Sequence, residues 1–159
     1  MPDEDTVRID DQLCFALYAA SNAVVRAYRP LLHEIGLTYP QYLTLMVLWQ
    51  QDGLAVNQIA DRLQLPGNAL TPLVARLERL GFVSRSRDDL DRRMVHVHLT
   101  RQGADLERRA AAVQRQVVCR TGLDEVSLVA LRTQLHDLVD DMRAPAAWHG
   151  PDEGEGEAS

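Results

Sequence analysis

Cys14 and Cys119 are the two thiols of this 159-residue chain. They stand far apart and form no CxxC pair, so neither a disulfide scaffold nor a zinc site can be built from them. In a reducing compartment they read as inert core residues or as a redox pair, and composition leaves both open. Asp10 or Asp11 could cap a helix that places Cys14 in its first turn, where orphan N–H groups and the helix dipole favour a thiolate. Tyrosine hydroxyls can donate a further hydrogen bond to sulfur, and Tyr18 and Tyr28 share the Cys14 face of such a helix. Tyr28 is 14 positions on, roughly 21 Å along the axis, so within one chain it cannot touch that sulfur.

Arginine is the other group with chemistry to offer, since every one of the 17 basic residues is arginine. Between Arg62 and Arg101 there are eight arginines against four acids (Glu78, Asp88, Asp89, Asp91). That segment is +4 in a chain of net charge -6, leaving -10 for the remainder. Local surface charge, and not the overall balance, decides whether phosphates can be neutralised. A solvated arginine face and a nucleic-acid face are equally open on charge alone. His96 and His98 lie two apart on one strand face without a third ligand, and read as solvated side chains.

The elements that must position these groups follow from periodicity. Apolar Leu13, Leu17, Ala20, Val24, Ala27 and Leu31 alternate in steps of four and three, the stripe of a long helix packed on other helices. Further helices are predicted over residues 40–50, 56–63 and 68–80, with a turn at Leu65-Pro66-Gly67-Asn68 and a stop at Gly81. Pro72 falls near the start of the third of these, where a missing N–H costs least. Residues 82–87 and 94–99 alternate as a β-hairpin with a charged tip. Thr100 can cap a helix to about residue 119. A last helix over 124–142 offers Val126, Val129, Leu131, Leu135, Leu138 and Val139 as core candidates. The fold class is therefore mainly α with a small β-hairpin wing (α+β), a winged helix-turn-helix flanked by long helices. Helices of that length cannot bury their stripes on so small a head, so a second copy is expected to cover them. A two-fold homodimer would hold two reading helices roughly 34 to 36 Å apart on double-stranded DNA, matched to a pseudo-palindromic operator.

By composition the chain holds one compact domain, or one domain with an attached helical module. Residues 1–9 are expected to be a flexible start and 144–159 a disordered acidic tail. The domain then spans 10–143, with its DNA-reading part about 53–99 and dimerisation helices about 10–35 and 100–142. No apolar run approaches the roughly 20 residues that cross a bilayer, and no membrane partner is expected. The first residues lack a secretory signal, so a cytoplasmic location is expected.

The stretches Ile59-Ala60-x-x-Leu63, Leu70-Thr71-Pro72-Leu73-Val74-x-Arg76-Leu77-Glu78-x-x-Gly81-Phe82-Val83-x-Arg85, Asp91-x-Arg93 and Leu99-Thr100-x-x-Gly103 resemble the MarR family of dimeric winged-helix repressors. The resemblance covers about residues 13–142. Leu13-Cys14-Phe15-Ala16-Leu17-Tyr18, Tyr28 and Leu37-Thr38-Tyr39-Pro40-Gln41-Tyr42 resemble the OhrR branch, which senses organic hydroperoxides. That resemblance implies Cys14 as the sensing thiol and Cys119 as a resolving cysteine from the other subunit. It also implies Tyr28 and Tyr39 of a partner as hydrogen-bond donors to the thiolate, and Tyr18 shares the Cys14 face. No cofactor or metal is implied. Turn Pro66-Gly67-Asn68 departs from the branch's usual Asp-Ser-Gly-like turn, which bears on base preference.

The expected sequence is oxidation of Cys14 to a sulfenic acid by a hydroperoxide, condensation with Cys119, helix displacement, and release of DNA. For DNA, Asn68, Thr71 and Arg76 are expected on the reading helix and Arg93 in the minor groove. Asp91 is expected to brace Arg85. Phe15, Leu45, Met46 and Trp49 form either a pocket for lipid-like peroxides or ordinary core. Two further readings remain: a repressor gated by a noncovalent small aromatic ligand, with Cys14 incidental, and a thiol peroxidase, for which no catalytic arginine setting surrounds Cys14.

Overall fold

The computed structural model describes residues 7–143. Residues 1–6 and the expected acidic tail at 144–159 lie outside the described residues. After a single 3-10 turn at Ile9–Asp11, the elements are α1 (Leu13–Glu34), α2 (Tyr39–Gln50), β1 (Leu54–Ala55), α3 (Val56–Leu63), α4 (Gly67–Arg79), β2 (Val83–Arg87), β3 (Val95–Leu99), α5 (Arg101–Arg120) and α6 (Glu125–Arg143). They divide into two compact units, one through Arg120 and one from Thr121.

The centre of the first unit is α2, apolar on nearly every side. Tyr42, Leu45, Val47 and Leu48 are buried, as expected of a helix with core all round it. A capping box starts it: the Gln41 N–H donates to Thr38 Oγ1 (3.4 Å) and the Thr38 N–H to Gln41 Oε1 (2.9 Å). Buried Thr44 is satisfied by donating to the Pro40 carbonyl at 2.9 Å. Around α2 pack α1, α3, α4 and α5, contributing Leu32, Ile59, Leu70, Val74 and Leu77 to one continuous core.

From α3 the chain turns through Gln64, held in the left-handed region at φ 57°. The turn comes earlier than expected, and Gly67 and Asn68 already belong to α4. Pro72 is consequently the sixth residue of that helix, past the first turn, and its ring removes the N–H that would bond to the Asn68 carbonyl. Gly81, at φ 81°, stops the helix: the Gly81 N–H reaches the Glu78 carbonyl and the Phe82 N–H the Leu77 carbonyl.

The hairpin pairs Val83 with Leu99, Arg85 with Val97 and Arg87 with Val95. A third strand, not anticipated, completes an antiparallel sheet of order β1-β3-β2, with Leu54 opposite Val97. Thr100 opens α5 as expected, accepting from the Gly103 N–H (3.1 Å) while donating to the Gly81 carbonyl (2.6 Å). Gly103, Leu106, Ala110, Val113 and Val117 form the buried stripe of α5, which lies on α1 and α2.

Neither end helix fully buries its stripe in the single chain. On α1 only Tyr28 and Leu32 are buried, and Leu13 at the head of the stripe is 61% exposed. No residue of α6 is buried, Val126 being 80% exposed. Among the described residues of its unit α6 has no second element to pack against; Leu128, Leu135, Leu138 and Val139 are half-buried and Val126, Val129 and Leu131 exposed. Asp124 caps α6, accepting from the Ser127 N–H at 2.7 Å.

Candidate nucleic-acid interface and thiol site

Helix α4 buries Leu70, Val74 and Leu77 and turns Asn68, Thr71, Arg76 and Arg79 to solvent. Its start has Pro66 at the cap position and no side chain bonding the first N–H groups, which leaves orphan donors of the kind that bind phosphate. The Thr71 hydroxyl bonds back to the Gly67 carbonyl at 3.3 Å. Between α3, α4 and the hairpin lies a cleft of about 450 Å³ whose walls include Asn57, Thr71, Arg85 and Arg93 over Val56 and Val74. The fold thus gathers Thr71, Arg85 and Arg93 around one cleft, whereas Asn68, Arg76 and Asp91 are not among the residues that line it.

Arg85 is not braced by Asp91. Its guanidinium pairs with Glu78, Nη2 to Oε2 at 2.7 Å and Nε to Oε2 at 2.9 Å, and its backbone N–H donates to Glu78 Oε1 at 3.1 Å. Those bonds hold the Glu78 carboxyl below the usual carboxylate range. Asp91 instead shapes the hairpin tip, accepting from the Arg93 N–H at 3.0 Å, while its carbonyl accepts from the Met94 N–H at 2.9 Å. Asp88 Oδ1 accepts from the N–H groups of Leu90 (2.7 Å) and Asp91 (3.1 Å), and its pKa is lowered by these bonds and by His96. Asp88 and Asp91 are therefore occupied by backbone donors, and Arg87, Arg92 and Arg93 are exposed. His96 is not merely solvated: it touches Gly53 and Asp88. Among the described residues no cluster of His, Cys, Asp or Glu could hold a metal.

Cys14 is the second residue of α1, exposed and free. Neither Asp10 nor Asp11 caps that helix: both sit in the preceding 3-10 turn, and Gln12 takes the cap position with no side-chain bond. Cys119 is exposed near the end of α5, in an open groove of about 590 Å³ beside Leu31, Arg115 and Arg120. Neither thiol is a buried small hydrophobe. Because Cys119 lies beside Leu31, 17 residues along α1 from Cys14, the two sulfurs of one chain are roughly 25 Å apart.

Tyr28 and Tyr39 come together, with ring centroids 5.3 Å apart, and Tyr42, missed in the sequence, completes the cluster at 5.5 Å from Tyr28 and 6.1 Å from Tyr39. Its spacing from Tyr39, three residues on one helix, was the available signal. Burial pushes all three phenols above the ordinary tyrosine value, so they stay protonated and able to donate. Tyr18 stands apart from them, 67% exposed, one turn after Cys14. Leu45 is fully buried in the core while Phe15 is exposed; Met46 and Trp49 line a small cavity with Tyr42 that does not include Phe15. The four apolar residues weighed as a peroxide pocket are not brought together.

With this geometry in place, comparison with known proteins is informative. The family model described as transcriptional regulator SarA/Rot matches residues 26–109. The HTH-type transcriptional regulator TtmR of Methylorubrum extorquens is 44% identical over 91% of this chain and 77% of its own length. The organic hydroperoxide resistance transcriptional regulator of Bacillus subtilis is 35% identical over 86% of this chain and 92% of its own. Reduced AbfR bound to DNA superposes with a TM-score of 0.70 at 31% identity, over 85% of this chain and 94% of that one. The disulfide form of AbfR gives 0.61 at 30% identity, over 85% and 90%. Among the described residues no helix is long and apolar enough to cross a membrane. A winged reading head with an exposed arginine tip, on a chain of this similarity, makes the protein a member of the MarR-type family of DNA-binding transcriptional regulators.

Proposed function

We propose that the protein is a homodimeric repressor that senses organic hydroperoxides through Cys14. The observation that carries this reading is the placement of two free, exposed cysteines, Cys14 at the start of α1 and Cys119 on α5 beside Leu31 near the other end of α1, on a chain 35% identical to an organic hydroperoxide resistance regulator. A hydroperoxide ROOH oxidises the Cys14 thiolate to a sulfenic acid and is itself reduced to the alcohol ROH. The Cys119 thiol of a second copy then attacks the sulfenic sulfur, forming the disulfide and releasing water. A separation of roughly 25 Å within one chain exceeds the about 7 Å that a disulfide spans between Cα atoms, which is why the second thiol must come from a partner. Tyr28 and Tyr39 of that partner, protonated in their cluster, donate to the Cys14 sulfur, and Tyr18 flanks it.

DNA is read by α4 through Asn68, Thr71 and Arg76, and by the hairpin through Arg93, with Arg85 set between them by Glu78. Disulfide formation shifts α1 and α5, and with them the spacing of the two heads, so that both half-sites are no longer met together. The cleft between α4 and the hairpin favours one second reading, in which a small aromatic acid occupies it and competes with DNA without Cys14.

The test is a DNA titration with reduced protein and with protein treated with one equivalent of cumene hydroperoxide, repeated for Cys14→Ser and Cys119→Ser, beside a nonreducing gel. Loss of binding that needs Cys14, with a covalent dimer that needs both cysteines, is the expected result. Peroxide-indifferent binding by the wild type would sink this reading and favour the ligand-gated one.

A further inference from the structure

His96 stands on β3 between two hydrogen-bond acceptors. Its Nδ1 lies 3.1 Å from the Gly53 carbonyl oxygen and its Nε2 3.0 Å from Asp88 Oδ2. A carbonyl and an ionised carboxylate have no hydrogen to give, and a neutral imidazole carries a single N–H. Only the imidazolium satisfies both contacts at once. The remaining Asp88 oxygen accepts from the N–H groups of Leu90 and Asp91, and the Asp91 carboxylate accepts from the Arg93 N–H. A continuous set of bonds therefore runs from the loop before β1, through His96 and Asp88, to the backbone of Arg93.

We propose that His96, as an imidazolium joining Gly53 to Asp88, is a positioning residue for DNA binding that fixes the hairpin turn displaying Arg92 and Arg93. The inference rests on the reading of that turn as a DNA-contacting arm. The surroundings support the cation. Across the sheet His96 is opposed by Ala55 on β1 and Ser86 on β2, both uncharged. The nearby carboxylates are Asp88 and Asp52, the latter accepting from the N–H groups of Gly53 (2.9 Å) and Leu99 (2.8 Å). His98, two residues along the same face, contacts Ser86 Oγ at 3.3 Å. Arg85 and Arg87 alternate to the other face of the hairpin, the side on which Val97 is buried against the helices. The Gly53 carbonyl and the Asp88 carboxylate hold the His96 pKa above its ordinary value. The sign follows: the clasp is complete below the ordinary imidazole value of about 6.5, and it loosens as pH rises through the raised value.

The experiment uses a fluorescent duplex selected from a randomised library on the wild-type protein, under reductant, titrated from pH 6 to 9 with the full-length wild type, His96→Gln, Asp88→Asn and Arg93→Ala. Nitrogen-15 correlation spectra of the His96 ring are recorded over the same range. Wild-type binding is expected to weaken about three- to tenfold as His96 deprotonates, the net effect of losing about one ordinary hydrogen bond. His96→Gln should bind more weakly at low pH and show a correspondingly flatter profile. Groups that titrate in both proteins cancel in that difference. The ring should carry hydrogen on both nitrogens where binding is tight. Should His96→Gln fail to fold, Asp88→Asn, which keeps an oxygen for the Leu90 and Asp91 N–H groups, decides through the same loss of slope. Wild-type affinity and slope in the folded His96 and Asp88 variants, with Arg93→Ala still weak, would overturn the role of His96 and leave the arm intact. An Arg93→Ala protein that binds normally at every pH would overturn the arm reading and this inference with it.

Discussion

Adding one methyl group at Gly103 tests how the reading head is joined to α5. A Cβ built there would lie 2.0 Å from the Phe82 carbonyl oxygen and 2.9 Å from its carbon. An ordinary carbon–oxygen contact is about 3.3 Å, so the start of α5 must retreat by roughly 1.3 Å. The obstacle is backbone, and that same oxygen accepts the Thr100 N–H at 3.0 Å. The Gly103 carbonyl also accepts the Trp49 indole N–H at 2.9 Å. Three contributions set the magnitude. Alanine in place of glycine inside a helix gains about 1 kcal/mol. Overpacking against an element that yields little costs about 1–3 kcal/mol, and weakening the two hydrogen bonds costs about 1 kcal/mol each. The net is a loss of about 2–4 kcal/mol, which for a chain of this size lowers Tm by roughly 4–16 °C. The assay is calorimetry of wild type and Gly103→Ala at one protein concentration, because association shifts Tm by mass action. A variant that melts at or above the wild type would refute the close approach, since helix propensity alone would then have prevailed.

Thr100→Ala removes the hydroxyl that receives the Gly103 N–H and binds the Gly81 carbonyl; urea denaturation should show a loss of about 1–2 kcal/mol, and an unchanged midpoint would contradict it. Glu78→Gln frees the Arg85 guanidinium from its carboxylate, so the plot of log K for duplex DNA against log salt should steepen by about one phosphate contact. An unaltered slope would show that Arg85 meets no phosphate when released. Glu78, Asp88 and Asp124 all have folded-state pKa values below their ordinary ones. Their contribution is therefore complete above the usual carboxylate range and lost as pH falls through the depressed values. Tm should decline below about pH 4, less steeply in Asp124→Asn, and parallel curves for the two proteins would count against that carboxylate.

Much of the fold was legible because the signals for it are local. A 3.6-residue period, the Gly81 stop and the Thr100 cap each act within a few residues, so helices and these ends could be read without knowing what they touch; the Thr38–Gln41 box, equally local, was not read, and α2 begins one residue earlier than expected. The hairpin was legible for the same reason, through Val95, Val97 and Leu99. The two-residue β1 was not, because Leu54 and Ala55 are too few to show a period. Similarly, Asp10 and Asp11 had the chemistry of caps, but a 3-10 turn carried them outside the helix.

The choice of partner was decided only in three dimensions. Arg85 had acids at similar distances in sequence on either side. The turn at Gly81 folds β2 back along α4, and so Glu78 takes it while Asp91 is drawn into the hairpin tip. His96 looked like a solvated residue until the start of β1 brought the Gly53 carbonyl to its Nδ1 and the tip brought Asp88 to its Nε2. The motif Thr100-x-x-Gly103 was visible as a pattern, yet the need for glycine comes from Phe82, a neighbour made by the packing of α5. The sequence by itself determined which residues could serve as thiols, donors and cations, and which stretches would be helix or hairpin, β1 excepted because only its pairing with β3 makes it a strand. Tertiary structure decided which of them meet and which stay exposed, Cys14 among the latter, because contact between distant segments depends on how whole surfaces pack.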